Sequence, residues 1–300
     1  MTSAVFLVNP ASASGKTGRR WPSLQARAGA LGLKGEVLLS EYPGHLTELA
    51  RAAAADHDRL LVVVGGDGTV NEVVNGLAGL GAELAVLPAG TGQDFGRTYG
   101  IPPRFDDAVR VALDGKATAI DLGLATYAGG ERYFANVGSV GMSGAVAERV
   151  NSMTKAFGGR LTFYYALTRE FLAWRNTEVT VTVDGGERRG PMHDVIVANG
   201  RWHAGGMKLA PDASSNDGLF DVIVIGDVSK LDFATTSPKL YKGGHIGHPR
   251  VEVVRSSTVA VDAAVPLPIE LEGEPVGTTP ARFEIVPRAL RVRVPSAHAG

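Results

Sequence analysis

The sequence predicts an α/β protein: a mostly parallel sheet flanked by helices over about the first 120 residues, then a β-rich remainder. Three observations predict it. Short apolar, β-prone runs alternate with helical periodicity in the first part. Short β-like runs dominate after residue 130. Glycine, 39 of 300 residues and nearly twice the ~7% average, collects in the loops that follow the first strands.

The first part reads as follows. Ala4–Val8, Glu36–Ser40, Leu60–Val64 and Leu84–Leu87 are short, apolar and β-prone. Between them, Leu46, Leu49, Ala50 and Ala53 recur at helical spacing, as do Val70, Val73, Val74, Leu77 and Leu80. Pro102-Pro103, a short helix over Asp106–Leu113 and Gly115 lead to a boundary near Ile120. Strand-like runs then appear at Arg132–Val137, Val179–Val183, Val195–Ala198, Leu219–Ile225, Val251–Arg255, Thr258–Val261 and Ile269–Glu272. Ser143 to Arg175 interrupts them and reads as one or two helices.

Composition excludes several chemistries. There is no cysteine, so disulfides, thiolate zinc, iron–sulfur clusters and a cysteine nucleophile are ruled out. A formal net charge of −1 gives no whole-chain footprint for nucleic acid. Met1 to Pro10 lacks a basic n-region, and no stretch reaches the ~18–20 apolar residues of a spanning helix. A cytoplasmic protein, at most peripheral at the inner face of a membrane, is expected. His245 and His248 are three apart but flanked by glycine and proline, which reads as a loop and gives zinc no support.

Ligands of parallel α/β sheets bind outside the carboxyl ends of the strands. Here those ends carry Asn9 to Lys16, Ser40 to His45, Gly65 to Thr69 and Pro88 to Asp94, all rich in Gly, Ser, Thr or Asp. Thr69 and Glu72 match a capping box, so a helix is expected to start at about Thr69. Gly65, Gly66 and Gly68 precede its positive end, an arrangement that binds anions. Asp67 in that loop suggests a bridging Mg2+ or a bound water. The dinucleotide pattern G-x-G-x-x-G fails at Asn71, and the P-loop pattern fails because Pro10 holds its first glycine position.

Gly65-Gly-Asp-Gly-Thr-Val-Asn-Glu-Val-Val-Asn-Gly76 resembles the nucleotide-binding motif of the diacylglycerol kinase catalytic-domain family. Five further segments match in the same order. They are Asn9-Pro10 with Ser14-Gly15-Lys16; Pro88 to Arg97; Asn136-Val-Gly with Gly141; Ala210 to Val222; and Leu240 to His245 with Glu272-Gly-Glu274. Two positions depart from the pattern: Gln93 stands where the family carries asparagine, and Glu272 where it carries aspartate.

The resemblance implies an N-terminal three-layer α/β domain like those of NAD kinases and phosphofructokinases, followed by a β-sandwich. The division expected is 1–120 and 121–287, with 288–300 as a candidate completion of the first domain through a strand at Ala289–Val294. It implies a lipid kinase moving the γ-phosphoryl of ATP to a lipid hydroxyl, with diacylglycerol the leading acceptor. Asn9, Pro10, Ser14, Gly15, Lys16, Ser40, Gly65, Gly66, Asp67, Gly68, Thr69, Asn71, Glu72, Gly90, Thr91 and Gly92 would cradle the nucleotide. Asp67 and Asp94 would hold the catalytic Mg2+. Glu274 would be the general base, with Glu272 a helper, and Ser214, Asp217 and the Leu219 carbonyl would hold a structural Mg2+. Ser143 to Arg175, basic and aromatic, would seat the protein on an anionic leaflet, its apolar residues lining an acyl-chain pocket. A homodimer is left open. The competing readings are a nucleotide or lipid sensor without turnover and an NAD kinase-like small-molecule kinase.

Overall fold

The computed structural model describes residues 4–56, 59–90, 92–153 and 159–296. They form two compact units. The first holds residues up to Leu122, Ala204–Gly206 and the chain from Val286 onward; the second holds Gly123–His203 and Met207–Ile285.

The first unit runs β1 (Ala4–Val8), α1 (Lys16–Ala30), β2 (Gly35–Leu39), α2 (His45–Ala53), β3 (Leu60–Gly65), α3 (Asp67–Leu77), β4 (Glu83–Pro88), α4 (Asp94–Thr98), α5 (Phe105–Asp114) and the start of β5 (Lys116–Tyr127). The strands are parallel, in the order β2-β1-β3-β4. β1 and β3 are buried along their whole length, as befits a sheet covered on both faces. β2 is the exposed edge. The chain's last strand, Ala281–Val294, completes this sheet: Arg291 and Val292 pair in parallel with β4. Helix α1 lacks a counterpart among the elements read from periodicity, although Trp21, Leu24 and Ala28 line its buried face at helical spacing.

Two expectations for α3 need correction. The helix starts at Asp67, with extended Gly66 as its N-cap, and no side chain caps it. The capping box does not form, because Thr69 is buried against Gly65 and the Glu72 carboxylate accepts the N–H of Gly44, 3.1 Å away. The helix also ends at Leu77, leaving Leu80 beyond it and exposed.

The second unit continues with β6 (Gly130–Phe134), β7 (Val137–Gly141), α6 (Met142–Ser152), α7 (Gly159–Ala173), β8 (Thr177–Val183), β9 (Gly186–Met192), β10 (Asp194–Ala198), β11 (Phe220–Ile225), α8 (Lys230–Thr236), β12 (Val251–Ser256), β13 (Thr258–Ala263), β14 (Pro268–Leu271), β15 (Glu274–Thr278) and β16 (Ala281–Val294). One antiparallel sheet has the order β12-β11-β10-β7-β14-β15. Facing it, β13 pairs with β8 and with the Ala281–Glu284 part of β16. Val181, Val259 and Phe283 of one layer pack with Val140, Val197, Phe220 and Leu271 of the other, which makes this unit a β-sandwich. Phe134 stacks on Phe220 with centroids 5.8 Å apart.

Glu272 is not in the strand expected at Ile269–Glu272. It has φ +55° and Gly273 has φ +83°, so the pair forms the two-residue turn between β14 and β15. The Arg132–Val137 run likewise breaks, into β6 and β7.

Candidate active site

The strand order puts a topological switch point between β1 and β3, because the chain leaves β1 for β2 on one side and returns to β3 on the other. The loops after β1 and β3 therefore flank the crevice where α/β sheets bind ligands.

The loop after β1 is built by its own side chains. Asn9 Oδ1 accepts the N–H groups of Ala11 and Ser12 at 3.0 and 3.1 Å. Ala13, Ser14 and Gly15 follow with φ of +52°, +57° and +77°, curling the chain into the start of α1. Lys16 is the first residue of that helix and is exposed. Pro10 packs on Gly18, where a Cβ would stand 2.9 Å away. Ser40 continues the ladder beyond β2 through its N–H to the carbonyl of Val8.

Three strand-end loops interlock. Ser12 Oγ donates to Thr17 Oγ1, and Thr17 Oγ1 donates to the Ala89 carbonyl at 3.2 Å. Ala89 N–H donates to the Gly65 carbonyl at 3.0 Å. A Cβ at Gly90 would stand 2.5 Å from the Gly66 Cα. One at Gly92 would stand 2.3 Å from Asp67 Oδ2. Asp67 Oδ1 accepts the N–H of Phe95 at 3.1 Å. Gly66, Gly90 and Gly92 thus serve the approach of loop to loop. Gly66, Asp67, Gly92, Gln93 and Phe95 line a small cavity of about 20 Å³ there. Thr91 lies outside the described residues.

The extension of the glycine motif has a packing role. Asn71 is buried, and Asn75 Nδ2 donates to its carbonyl at 2.8 Å. A Cβ at Gly76 would stand 2.5 Å from the Thr47 carbonyl oxygen, so this glycine lets α2 and α3 pack closely.

This donor set fits a polyphosphate. The first-turn amides of α3 have no intrahelical acceptor, whereas those of Lys16, Thr17 and Gly18 in α1 already donate to the carbonyls of Ala13, Ser12 and Pro10; both helix ends carry positive dipole charge. Exposed Lys16 adds a full cation. Asp67 offers hard oxygen for a Mg2+ or its water shell. Asp94 is more committed: Oδ1 holds Arg97 Nη1 and Oδ2 holds the Gly205 N–H, each at 2.6 Å. Arg97, Gly205 and Thr17 are site residues that spacing arguments passed over. Thr17 was accessible as the residue after Gly15-Lys16; Gly205, far along the chain, gave no local signal.

In the second unit, Glu274 opens β15 and its Oε2 accepts Asn151 Nδ2 at 3.0 Å. The turn before it is pinned by two carboxylates. Glu272 Oε1 accepts the N–H groups of Ala135 and Asn136 at 2.8 and 2.6 Å. Buried Glu270 accepts Ser139 Oγ at 2.8 Å and the Gly273 N–H at 2.6 Å, and His203 Nε2 lies 3.1 Å away. Burial alone would push the Glu270 carboxyl up; His203, Ser139 and Gly273 together hold it below the ordinary range. Glu270 is a further residue that sequence reasoning left unassigned.

The residues expected to hold a structural Mg2+ make other contacts in this structure. Ser214 Oγ donates to Asn216 Oδ1 at 2.7 Å. Asp217 Oδ1 accepts the Leu219 N–H at 3.1 Å, and Oδ2 is held by the Arg255 guanidinium. Among the described residues, no cluster of three or more His, Cys, Asp or Glu could hold a metal ion.

The Ser143–Arg175 segment forms α6 and α7. Lys155 and Phe157 lie outside the described residues, as do the side chains of Arg160, Leu161, Phe163 and Tyr164. Arg149 pairs with Glu170, which removes one positive charge from the face expected to be basic. No described helix is long and apolar enough to cross a membrane.

An α/β unit with interlocked phosphate-type loops at its switch point, joined in one chain to a β-sandwich, defines a kinase of NAD kinase-like fold. Residues 3–125 match the diacylglycerol kinase catalytic domain, and residues 136–294 match the YegS C-terminal NAD kinase beta sandwich-like domain. The chain is 32% identical over 261 residues to a diacylglycerol kinase of Bacillus subtilis (strain 168), covering 85% of this chain and 84% of that one. It is 30% identical over 294 residues to a diacylglycerol kinase of Mycobacterium tuberculosis (strain ATCC 25618 / H37Rv), covering 96% and 94%. The crystal structure of a diacylglycerol kinase from Bacillus anthracis str. Sterne superposes with a TM-score of 0.73 at 21% identity, covering 99% of this chain and 98% of that one. The chain belongs to the diacylglycerol kinase family.

Proposed function

We propose that this kinase moves the γ-phosphoryl group of ATP to the free hydroxyl of a lipid, with diacylglycerol the foremost acceptor and phosphatidic acid the product. The observation that carries the reading is the interlocked set of loops at the β1/β3 switch point, where α1 and α3 begin and Lys16 is exposed. Phosphoryl transfer depends mostly on positioning and charge neutralisation, and this rim supplies both. ATP supplies the transferable group, and Mg2+ offsets its charge. Lys16 and the first-turn amides of α3 bind the phosphates. Asp67, oriented by the Phe95 N–H, presents an oxygen toward the cation's water shell. Glu274, oriented by Asn151, takes the proton of the lipid hydroxyl as the new P–O bond forms. Tyr165, Leu172 and Leu231 are exposed apolar side chains on α7 and α8, which favours a peripheral seat at a lipid surface.

The test is transfer of labelled γ-phosphate from ATP across a panel of lipids in mixed micelles. Diacylglycerol should be phosphorylated. Glu274→Ala should lower kcat by roughly 10²–10⁴-fold, the usual contribution of a positioned base, and Asp67→Ala should abolish turnover. ATP binding without transfer to any lipid would overturn the kinase reading in favour of a sensor.

A further inference from the structure

We propose that Arg255 takes the place of a structural metal ion in the β-sandwich unit. In this chain the turn before β11 is closed by a guanidinium where the family resemblance implies Mg2+. The register of the sheet sets this up. β11 and β12 are antiparallel, and Asp221 stands directly opposite Arg255 in the ladder. Directly opposed residues are close enough for their side chains to interact. Arg255 Nε lies 4.0 Å from Asp221 Oδ2, while its Nη2 holds Asp217 Oδ2. One planar cation therefore lies beside two carboxylates, one from the turn and one from the strand that follows it.

The other oxygens of the turn are engaged, while buried Asp221 Oδ2 makes no hydrogen bond and has the guanidinium 4.0 Å away. Asp217 Oδ1 accepts the Leu219 N–H at 3.1 Å, and Ser214 Oγ is turned to Asn216 Oδ1 at 2.7 Å. A second guanidinium steadies the same segment, since Arg201 Nε donates to the Ala213 carbonyl at 2.8 Å. A Mg2+ here needs near-octahedral oxygen donors at roughly 2.0–2.1 Å. It would have to displace a permanently charged arginine from Asp217, whose side chain is 29% exposed, beside an Asp221 side chain that is only 7% exposed. The arginine is supplied by the facing strand of the same chain, whereas Mg2+ must be drawn from solution and desolvated.

This inference is independent of the kinase reading, so its test uses neither nucleotide nor lipid. Chelator-treated full-length protein is titrated with Mn2+, binding being read by electron paramagnetic resonance, and is melted with and without Mg2+. The wild type should show no saturable Mn2+ site that depends on Asp217 and no Mg2+-dependent rise in Tm. Arg255→Met should lower Tm and acquire a saturable Mn2+ site. Mg2+ should then restore Tm by roughly 2–4 °C, the shift expected for about a kilocalorie in a chain of this size. The double variant Arg255→Met/Asp217→Asn should lose the acquired site. Arg255→Lys, which keeps the charge, should need no metal.

A saturable Mn2+ site in the wild type that vanishes in Asp217→Asn would overturn the proposal. So would an Arg255→Met protein that is destabilised but neither binds nor responds to a divalent ion. In that case the arginine is an ordinary cross-strand ion pair.

Discussion

A single methyl group tests the interlocked loops. At Gly92 it would stand 2.3 Å from Asp67 Oδ2. Asp67 would have to turn, and displacements of that size cost turnover by roughly 10²-fold. Gly92→Ala should therefore lose lipid phosphorylation by about that factor in steady-state kinetics, whereas Gly185→Ala, with open space around its Cβ, should not change it. Full activity in Gly92→Ala would show that the Asp67–Gly92 contact is dispensable. Two adjacent residues at the start of β10 make a second residue-scale test. Burial, reinforced by Lys230, pushes the His193 imidazole down to about 4. Burial pushes the Asp194 carboxyl up to about 7, against the opposing hydrogen bonds from Ser143. The signs are opposite. A depressed histidine stabilises the fold above its unfolded value of 6.5 and loses that contribution as pH falls towards 4. A raised carboxyl stabilises it below 3.8 and loses that contribution as pH rises through 7. Between pH 4 and 6.5 the two slopes oppose, each worth up to ~1.4 kcal/mol per pH unit. Asp194→Asn should leave the histidine slope alone, so denaturant-derived stability falls steeply on acidification. His193→Asn should give the reverse, and parallel pH curves for both variants would disprove the pairing.

At the scale of elements, the β14–β15 hairpin shows what the sequence could and could not convey. Glu272-Gly273-Glu274 stood out as a motif, and its central glycine is needed at φ +83°. Its first glutamate is a structural acceptor: Oε1 takes two backbone N–H groups that precede β7. Glu272→Ala leaves both unsatisfied and should cost roughly 1–3 kcal/mol in urea unfolding. Glu272→Gln keeps an acceptor and should cost less; equal losses would place the effect in the turn backbone. Apart from the Gly273 N–H, the partners named for Glu272 and Glu270 lie more than 60 residues away along the chain, so no local pattern announces them. Strands and helices with strong periodicity were legible: β1, β3, β4, α2 and most β-sandwich strands sit where apolar runs put them. Helix α1 escaped because Pro22 and two glycines dilute its pattern. The start of α3 was misread because Glu72 is recruited by another helix, a tertiary demand that outweighs a local capping preference.

Across the whole molecule, neither compact unit is a continuous stretch of chain. The α/β unit includes the residues from Val286 onward; a strand at Ala289–Val294 is implied only by the family resemblance, and its partner strand is not legible in the sequence. Arg291 and Val292 pair with β4, Ala289 accepts the N–H of Gly79 at 2.8 Å, and Arg291 and Arg293 both reach Glu83. Leu290, Val292 and Val294 are buried. Three such side chains at roughly 1.5–3 kcal/mol each compare with a total domain stability of about 5–15 kcal/mol. Removing them also bares the free edge of β4, an invitation to intermolecular pairing. A fragment of residues 1–122 should therefore lack a cooperative thermal transition by circular dichroism and should self-associate on size exclusion. Supplying 286–296 through a flexible linker should restore a cooperative melt and a monomeric elution volume, since those residues close the edge and refill the core. A monomeric 1–122 fragment with its own sharp transition would mean that the C-terminal strand decorates a sheet already complete without it.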